Sequence, residues 1–453
     1  MKTETWSSQA TFLYATIGCS VGLGNLWRFP YIAGQNGGGA FVLVYIGFVL
    51  LVGIPLVMAE LAIARRGHGS PVASVTAVAR DESRSRGWRL IGWMSVLAPL
   101  LGLSFYSVVG GWSLDYLVQA GSGAFSQING EQAGELFSGM LNSPNRMILS
   151  FSLMIASVTL VVGMGLSNGI ERVTKVMMPL LAVLLVALAI YANIVGNSAR
   201  AWSFLFSPDF SQLTADSILI ALGQALFSIA VGTGALLAYG AYLPADVSIP
   251  RAAWAIGLAD TAAALFAALL IFPIVFAAGL DAGEGPGLIF VTLPVAFASM
   301  PGAQIVGPLF FLLIFTAAFT SGLGMMEPFV SWAEERRWLS RPWAAIVTAV
   351  AVWPLGLAAV FSFNRWKDFT PLDAVPQLAG KTVFSILDYG VSNLVLPLNA
   401  LLIALFAGWA ILGSRMREDI GIESELGWRL WRLSTQFIAP IAICAVFFLN
   451  FAA

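Results

Sequence analysis

Eleven stretches of this chain are so apolar that a lipid-embedded helix is the structure they dictate. They run over 10–32, 38–64, 89–120, 146–163, 169–195, 216–242, 250–279, 301–333, 342–362, 383–412 and 430–451. Most reach or exceed the ~20 residues that cross a bilayer core. No water satisfies backbone amides and carbonyls there, so each run must close its own hydrogen bonds as a helix. Charge content agrees: Asp, Glu, Lys and Arg make up 10% of the 453 residues, against about 25% in soluble domains. The expected fold is an all-α polytopic membrane protein, a single transmembrane domain over 1–453. The net charge of −1 offers no footprint for nucleic acid, and the partners left are lipid and small solutes.

Orientation follows from the basic residues. With the N-terminus cytoplasmic, one set of loops carries Lys2, Arg65, Arg66, Arg80, Arg84, Arg86, Arg89, Arg172, Lys175, Arg251, Arg336, Arg337, Arg341, Arg415, Arg417, Arg429 and Arg432. The other carries only Arg146, Arg200, Arg365, Lys367 and Lys381. That bias is positive-inside and leaves the C-terminus outside. The first apolar run carries Asn25 and Arg28 and lacks a small-residue cleavage site, so no signal peptide is expected. Cys19 and Cys444 lie in the first and last runs and have no metal-ligand spacing. His68 reads as a solvated loop residue. The Gly-rich loops near 120–145 and 280–300 read as outer caps or lids, and Gly37, Gly38 and Gly39 as a tight outer turn.

Two of the eleven runs are interrupted. Residues 17–30, IGCSVGLGNLWRFP, hold Gly18, Gly22 and Gly24, then Asn25, Arg28 and Pro30. Each glycine costs a helix ~1 kcal/mol relative to alanine, and a charge at membrane depth is kept for function. Residues 224–242, QALFSIAVGTGALLAYGAY, are interrupted again at Gly232 and Gly234. Non-helical backbone survives in a membrane only where protein buries it or it lines a cavity. Breaks at corresponding places in two five-helix halves (10–195 and 216–412, with 430–451 as an extra helix) point to an inverted repeat and a midplane site. Half-helix ends there favour a carboxylate and unwound carbonyls a small cation.

The motif GLGNLWRFPYIAGQNGGGAF at 22–41 resembles the neurotransmitter:sodium symporter family, as do Tyr106 with Trp112, AAFTS at 317–321 and LDYGVSN at 387–393. Bacterial members include the leucine transporter, a reference case for discontinuous helices. The resemblance implies two sodium sites, oxygen-lined as hard cations require. The first would use Ser20, Asn25, Ser228 and Asp260; the second Gly18, Val21, Ala317, Thr320 and Ser321. Where Asp260 stands, many members have Asn, and Tyr45, Gln224 and Ser228 match part of the chloride shell of animal members. A fixed carboxylate there would replace chloride, so chloride is not expected as a partner. Pairing of Asp260 with Arg251 at the helix end is the plainer alternative.

The resemblance further places the substrate among Ser20, Gly22, Gly24, Gly102, Tyr106, Phe227, Ala230, Thr233, Ser321 and Met325, with Val109 also lining the pocket. The Gly24 amide and Tyr106 hydroxyl would hold a carboxylate. Monoamine carriers have Asp at the position of Gly22, which favours an α-amino acid here, and the room at Gly102 and Thr233 favours a bulky one. Arg28 and Asp388 match the outer gate, with Phe227 as lid. Glu335 matches the inner acid, but its usual basic partner falls at Thr3, leaving Lys2 as substitute. Gly169 and Pro179 predict local unwinding of the fifth helix. The function implied is sodium-coupled uptake of a neutral, bulky hydrophobic or aromatic L-amino acid across a bacterial inner membrane. An amino-acid-derived osmolyte, or a non-transporting sensor of the same fold, are the alternatives. With no intramembrane histidine and no Ser–Lys pair in the spans, an enzyme is not expected.

Overall fold

A computed structural model describes residues 5–125, 128–280 and 287–452. Helices dominate, and no strand occurs among the described residues. Nine helices there are long and apolar enough to span: Gly39–Gly67, Arg86–Gly121, Pro144–Gly163, Leu166–Val195, Ile249–Ala277, Ala303–Glu335, Arg341–Phe361, Val383–Ala410 and Glu425–Phe448. The two remaining expected runs are the interrupted ones, each divided into helices too short to span alone.

Large apolar side chains face outward as the bilayer requires. Leu153, Leu160, Val176, Val183, Ile194 and Val350 are all more than half exposed, a surface that water would not tolerate over this area. Inside, the Arg89–Gly121 and Ala303–Glu335 helices pack along one another, and the two interrupted segments lie among them.

The first segment starts with a capping box in which Ser8 and Thr11 exchange side-chain and backbone bonds. Its Gln9–Ser20 helix ends where Val21 turns extended (ψ 95°), and a wide turn over Gly24–Arg28 leads into Phe29–Gln35. In the second segment, Thr214 caps Ala215–Ser228, and the chain stays unwound until Ala235–Gly240. Ala230, Gly232 and Gly234 have φ of 60°, 78° and 80°, a region that costs any residue but glycine. A Cβ at Gly234 would lie 2.0 Å from the Ser95 carbonyl, so backbone approach as well as φ demands glycine.

Several expectations change in detail. The 120–145 loop contains a helix, Gly130–Leu141, capped by Asn129 and Gln132. Residues Leu288–Ala298 are helical too, while 281–286 lie outside the described residues. These two caps meet through Phe137 and Phe290, stacked 5.6 Å apart at 3°. His68 is exposed, yet its left-handed backbone (φ 52°) closes the Gly39–Gly67 helix by donating to the Ala64 carbonyl. Pro179 sits inside an unbroken Arg172–Val195 helix. The irregularity lies about two to four turns earlier, at Gly165 (φ 103°) and the wide turn Leu166–Glu171. Gly169 belongs to that turn, packed so close that a Cβ would be 2.0 Å from the Val161 carbonyl.

Candidate substrate and sodium site

Where the two breaks meet, Ser20, Gly22, Gly24, Gly102, Tyr106, Phe227, Ala230, Thr233, Ser321 and Met325 line one cavity. Cys19, Ala98, Pro99, Phe105, Val391 and Leu396 complete the wall. Sequence reasoning missed these six because nothing in their local pattern sets them apart from helix packing. The cavity encloses about 40 Å³, room for a few waters, so flexible walls such as Met325 must move to admit a solute. Val109 faces elsewhere, into the outer vestibule.

Backbone and hydroxyl groups of the first break meet at Gly22. The Leu23 amide donates to the Tyr106 hydroxyl at 3.1 Å, and the Gly22 amide to Asn25 Oδ1 at 3.1 Å. A Cβ on Gly22 would sit 2.4 Å from Ser321 Oγ and 2.6 Å from the Tyr106 hydroxyl. No acidic side chain fits at this position without displacing both. Ser20 Oγ donates to the Thr16 and Ile229 carbonyls, tying one break to the other.

Beside the cavity lies a polar cluster. Asn25 Nδ2 donates to Ser228 Oγ (2.8 Å), to Asp260 Oδ1 (2.8 Å) and to the Asp260 carbonyl (3.0 Å). Ser228 Oγ and the Tyr45 hydroxyl donate to Asp260 Oδ2 at 2.7 and 3.1 Å. Asp260 is fully buried, and Arg251 is exposed. The carboxylate is thus engaged by the cluster. Ala264, also fully buried, contributes no polar atom. Gln224 turns away, donating to the Gly24 carbonyl at 2.8 Å and leaving its Oε1 buried without a partner among the described residues.

On the other side of the first break, Ser321 Oγ donates to the Gly18 carbonyl at 3.4 Å, and Thr320 Oγ1 to the Ala317 carbonyl at 3.2 Å. A Cβ on Gly18 would meet Thr320 at 3.3 Å and Met178 at 2.8 Å. Val21 is buried, its amide bonded back to the Ile17 carbonyl at 2.7 Å. Gly18, Ala317, Thr320 and Ser321 therefore cluster as oxygen donors suited to a hard cation.

Toward the outer end, Phe227, Tyr106 and Phe105 separate the cavity from a vestibule of about 470 Å³. Arg28 and Asp388 both line this vestibule but form no ion pair within 4 Å. The Arg28 guanidinium lies over the Phe227 ring, 4.7 Å from its centre, and Asp388 accepts from Ser392. The two residues expected to pair as a gate thus share one vestibule without touching.

The opposite end is plugged. Trp6 is 3% exposed, and its indole donates to the Tyr239 carbonyl at 3.0 Å. Ser7 hydrogen-bonds Glu171, which also pairs with Lys175 at 2.8 Å. Arg341 pairs with the fully buried Glu327 at 2.5 Å, and Tyr242 donates to the same carboxylate. Glu335 accepts from the Ser70 amide at 3.0 Å. Lys2, expected as its substitute partner, and Thr3, where the usual basic residue is missing, lie outside the described residues.

One further acid shapes the second break. Glu60 is fully buried, and its Oε1 accepts from the Gly232 amide at 2.7 Å, while Asn399 Nδ2 donates to the Gly232 carbonyl at 2.7 Å. Glu60 was findable: an acid inside an apolar run is itself a signal.

Discontinuous helices meeting at a buried hollow, in a chain of spanning helices, are the architecture of membrane transporters. Comparison with known proteins then gives the family. Residues 3–129 and 135–453 match the model of the sodium:neurotransmitter symporter family, and the chain belongs to it. An uncharacterized sodium-dependent transporter of Bacillus subtilis, YhdH, is 36% identical over 98% of this chain and 97% of its own length. The sodium-dependent dopamine transporter of Bos taurus is 26% identical over 99% of this chain and 69% of its own. Among solved structures, MhsT in complex with L-phenylalanine superposes with a TM-score of 0.90 at 40% identity, over 98% of this chain and 99% of that one. The chain is thus a multi-pass, sodium-dependent transporter working by symport.

Proposed function

We propose that this transporter takes up a neutral, bulky hydrophobic or aromatic L-amino acid with two sodium ions, across a bacterial inner membrane with its N-terminus cytoplasmic. Residues 10–195 and 216–412 act as the two inverted repeats of one domain. The supporting observation is the crowding at Gly22. An amine carrier needs an acid there, and one at Gly22 would have to displace Ser321 Oγ and the Tyr106 hydroxyl. The substrate itself must then bring the carboxylate, which the Gly24 amide and Tyr106 hydroxyl receive. That carboxylate completes the first sodium shell of Ser20, Asn25, Ser228 and Asp260, so each ligand raises the other's affinity. Gly18, Val21, Ala317, Thr320 and Ser321 hold the second ion. Binding of L-phenylalanine by MhsT supports an aromatic side chain in the pocket.

Asp260 makes transport chloride-independent, because the donors a chloride would use, Tyr45 and Ser228, already serve the carboxylate. The test is a competition panel of all twenty amino acids against labelled L-phenylalanine in proteoliposomes, with sodium or potassium outside. Large apolar amino acids are expected to compete, and accumulation to require sodium but not chloride. Binding without accumulation would favour the sensor reading, and displacement by an osmolyte alone would replace the substrate class.

A further inference from the structure

At the end of the molecule where the arginines gather, a hollow lies beside the last two long helices and shares no lining residue with the central cavity or the vestibule. It encloses about 400 Å³ between the Phe406–Ala410 turn, Leu412 and Gly413, and the start of the Glu425–Phe448 helix. Arg84 and Arg432 both line it and both are exposed. The Nε of Arg84 donates to the Ala410 carbonyl at 2.6 Å, and that of Arg432 to Gln436 Oε1 at 3.1 Å. Each guanidinium is therefore anchored by one edge. Two nearby acids are engaged by other arginines: Glu82, which also accepts from the Leu412 amide at 3.0 Å, by Arg66 and Arg415, and Glu425 by Arg417 and Arg429. No acid lines the hollow among the described residues.

The remaining wall is aromatic. Trp428 and Trp431 stack 5.1 Å apart at 15°, and Trp409 sits edge-on to Phe437 at 5.5 Å. Tryptophans concentrate at the level of lipid headgroups. Two fork-shaped cations at that level, each with donors to spare, suit a phosphate. Basic pockets between spanning helices take anionic headgroups in this way. Below the hollow, Leu433, Phe437 and Ile441 are 49%, 45% and 67% exposed. At a spacing of four residues they form one apolar stripe on the helix. That stripe begins at a wall of the hollow, which a soluble phosphate would leave unused and an acyl chain would cover.

We propose that this hollow binds an anionic phospholipid, its phosphate between Arg84 and Arg432 and a chain along Leu433, Phe437 and Ile441. The charged side chains described in its lining are two arginines and no acid, which favours a headgroup of net negative charge over a zwitterionic one.

Native mass spectrometry of the full chain, purified in neutral detergent and titrated with phosphatidylglycerol or phosphatidylcholine, tests this. Wild-type protein is expected to retain phosphatidylglycerol in preference to phosphatidylcholine, and soluble glycerol phosphate is not expected to displace it. The Arg84→Gln/Arg432→Gln variant should weaken phosphatidylglycerol binding by about tenfold or more, while Arg365→Gln, on the opposite loops, should not. Equal retention of the two lipids by wild type, a measurement needing no variant, would overturn the proposal. Unchanged affinity in the double variant, with its melting temperature kept, would do so too. Displacement by glycerol phosphate at matched concentration would make this a phosphate site without a lipid.

Discussion

The two helix breaks solve one problem by different means. In the first, the chain departs from helix over Val21 and Gly22 without any left-handed residue, and side chains carry the polarity: Asn25 alone joins Ser228 and both ends of Asp260. In the second, three residues adopt positive φ, and the polarity is bare backbone held by Glu60 and Asn399. The first break therefore resembles a ligand set, and the second a strained hinge clamped from outside. Substitutions should separate the two by what they damage: chemistry at the first, folding at the second.

The largest effect is expected at the hinge. Gly234→Ala forces both an unfavourable φ and a contact with the Ser95 backbone. It should cost on the order of 3 kcal/mol or more, seen as a large fall in melting temperature with loss of uptake. Asp260→Asn comes next. It removes a buried charge but keeps the shape, so the fold should survive while apparent sodium affinity drops at least tenfold and uptake becomes stimulated by chloride. Folding loss on its own would contradict the division. Glu60→Ala strips the Gly232 amide of its acceptor, a penalty of about 1–3 kcal/mol, and should lower thermal stability more than substrate affinity. Smallest is Tyr106→Phe. Loss of one hydroxyl contact should weaken substrate binding about tenfold, as for a hydrogen bond to a charged group of ~1.5 kcal/mol, and lower stability by about 1 kcal/mol because the buried Leu23 amide loses its acceptor.

Much of this was legible in the chain because the breaks announce themselves locally. Glycines, Asn25 and Arg28 inside an apolar run violate the composition of a spanning helix. The expected site residues on other helices, Gly102, Tyr106, Asp260, Thr320, Ser321 and Met325, come from the family resemblance instead. What was not legible is whatever depends on distant partners. The Glu60 carboxylate meets Gly232, 172 residues away, and the outer caps are helices pressed together by Phe137 and Phe290, which in sequence look like Gly-rich loop. Ion pairing was equally opaque. Arg28 and Asp388 share a vestibule, yet the arginine lies on Phe227, and Glu335 caps the Ser70 amide. Side-chain reach lets one arginine choose among several partners, and spacing does not record the choice.

The central claim is that peptide groups bared by two breaks receive a metal ion and the substrate's own carboxylate together. Its most direct test is the sodium dependence of binding for the best-competing amino acid and for the amine it yields on decarboxylation, measured on the same purified protein. The account predicts at least tenfold tighter binding of the amino acid in sodium than in potassium, and no such gain for the amine. Equal affinity of the amino acid in both salts would contradict it.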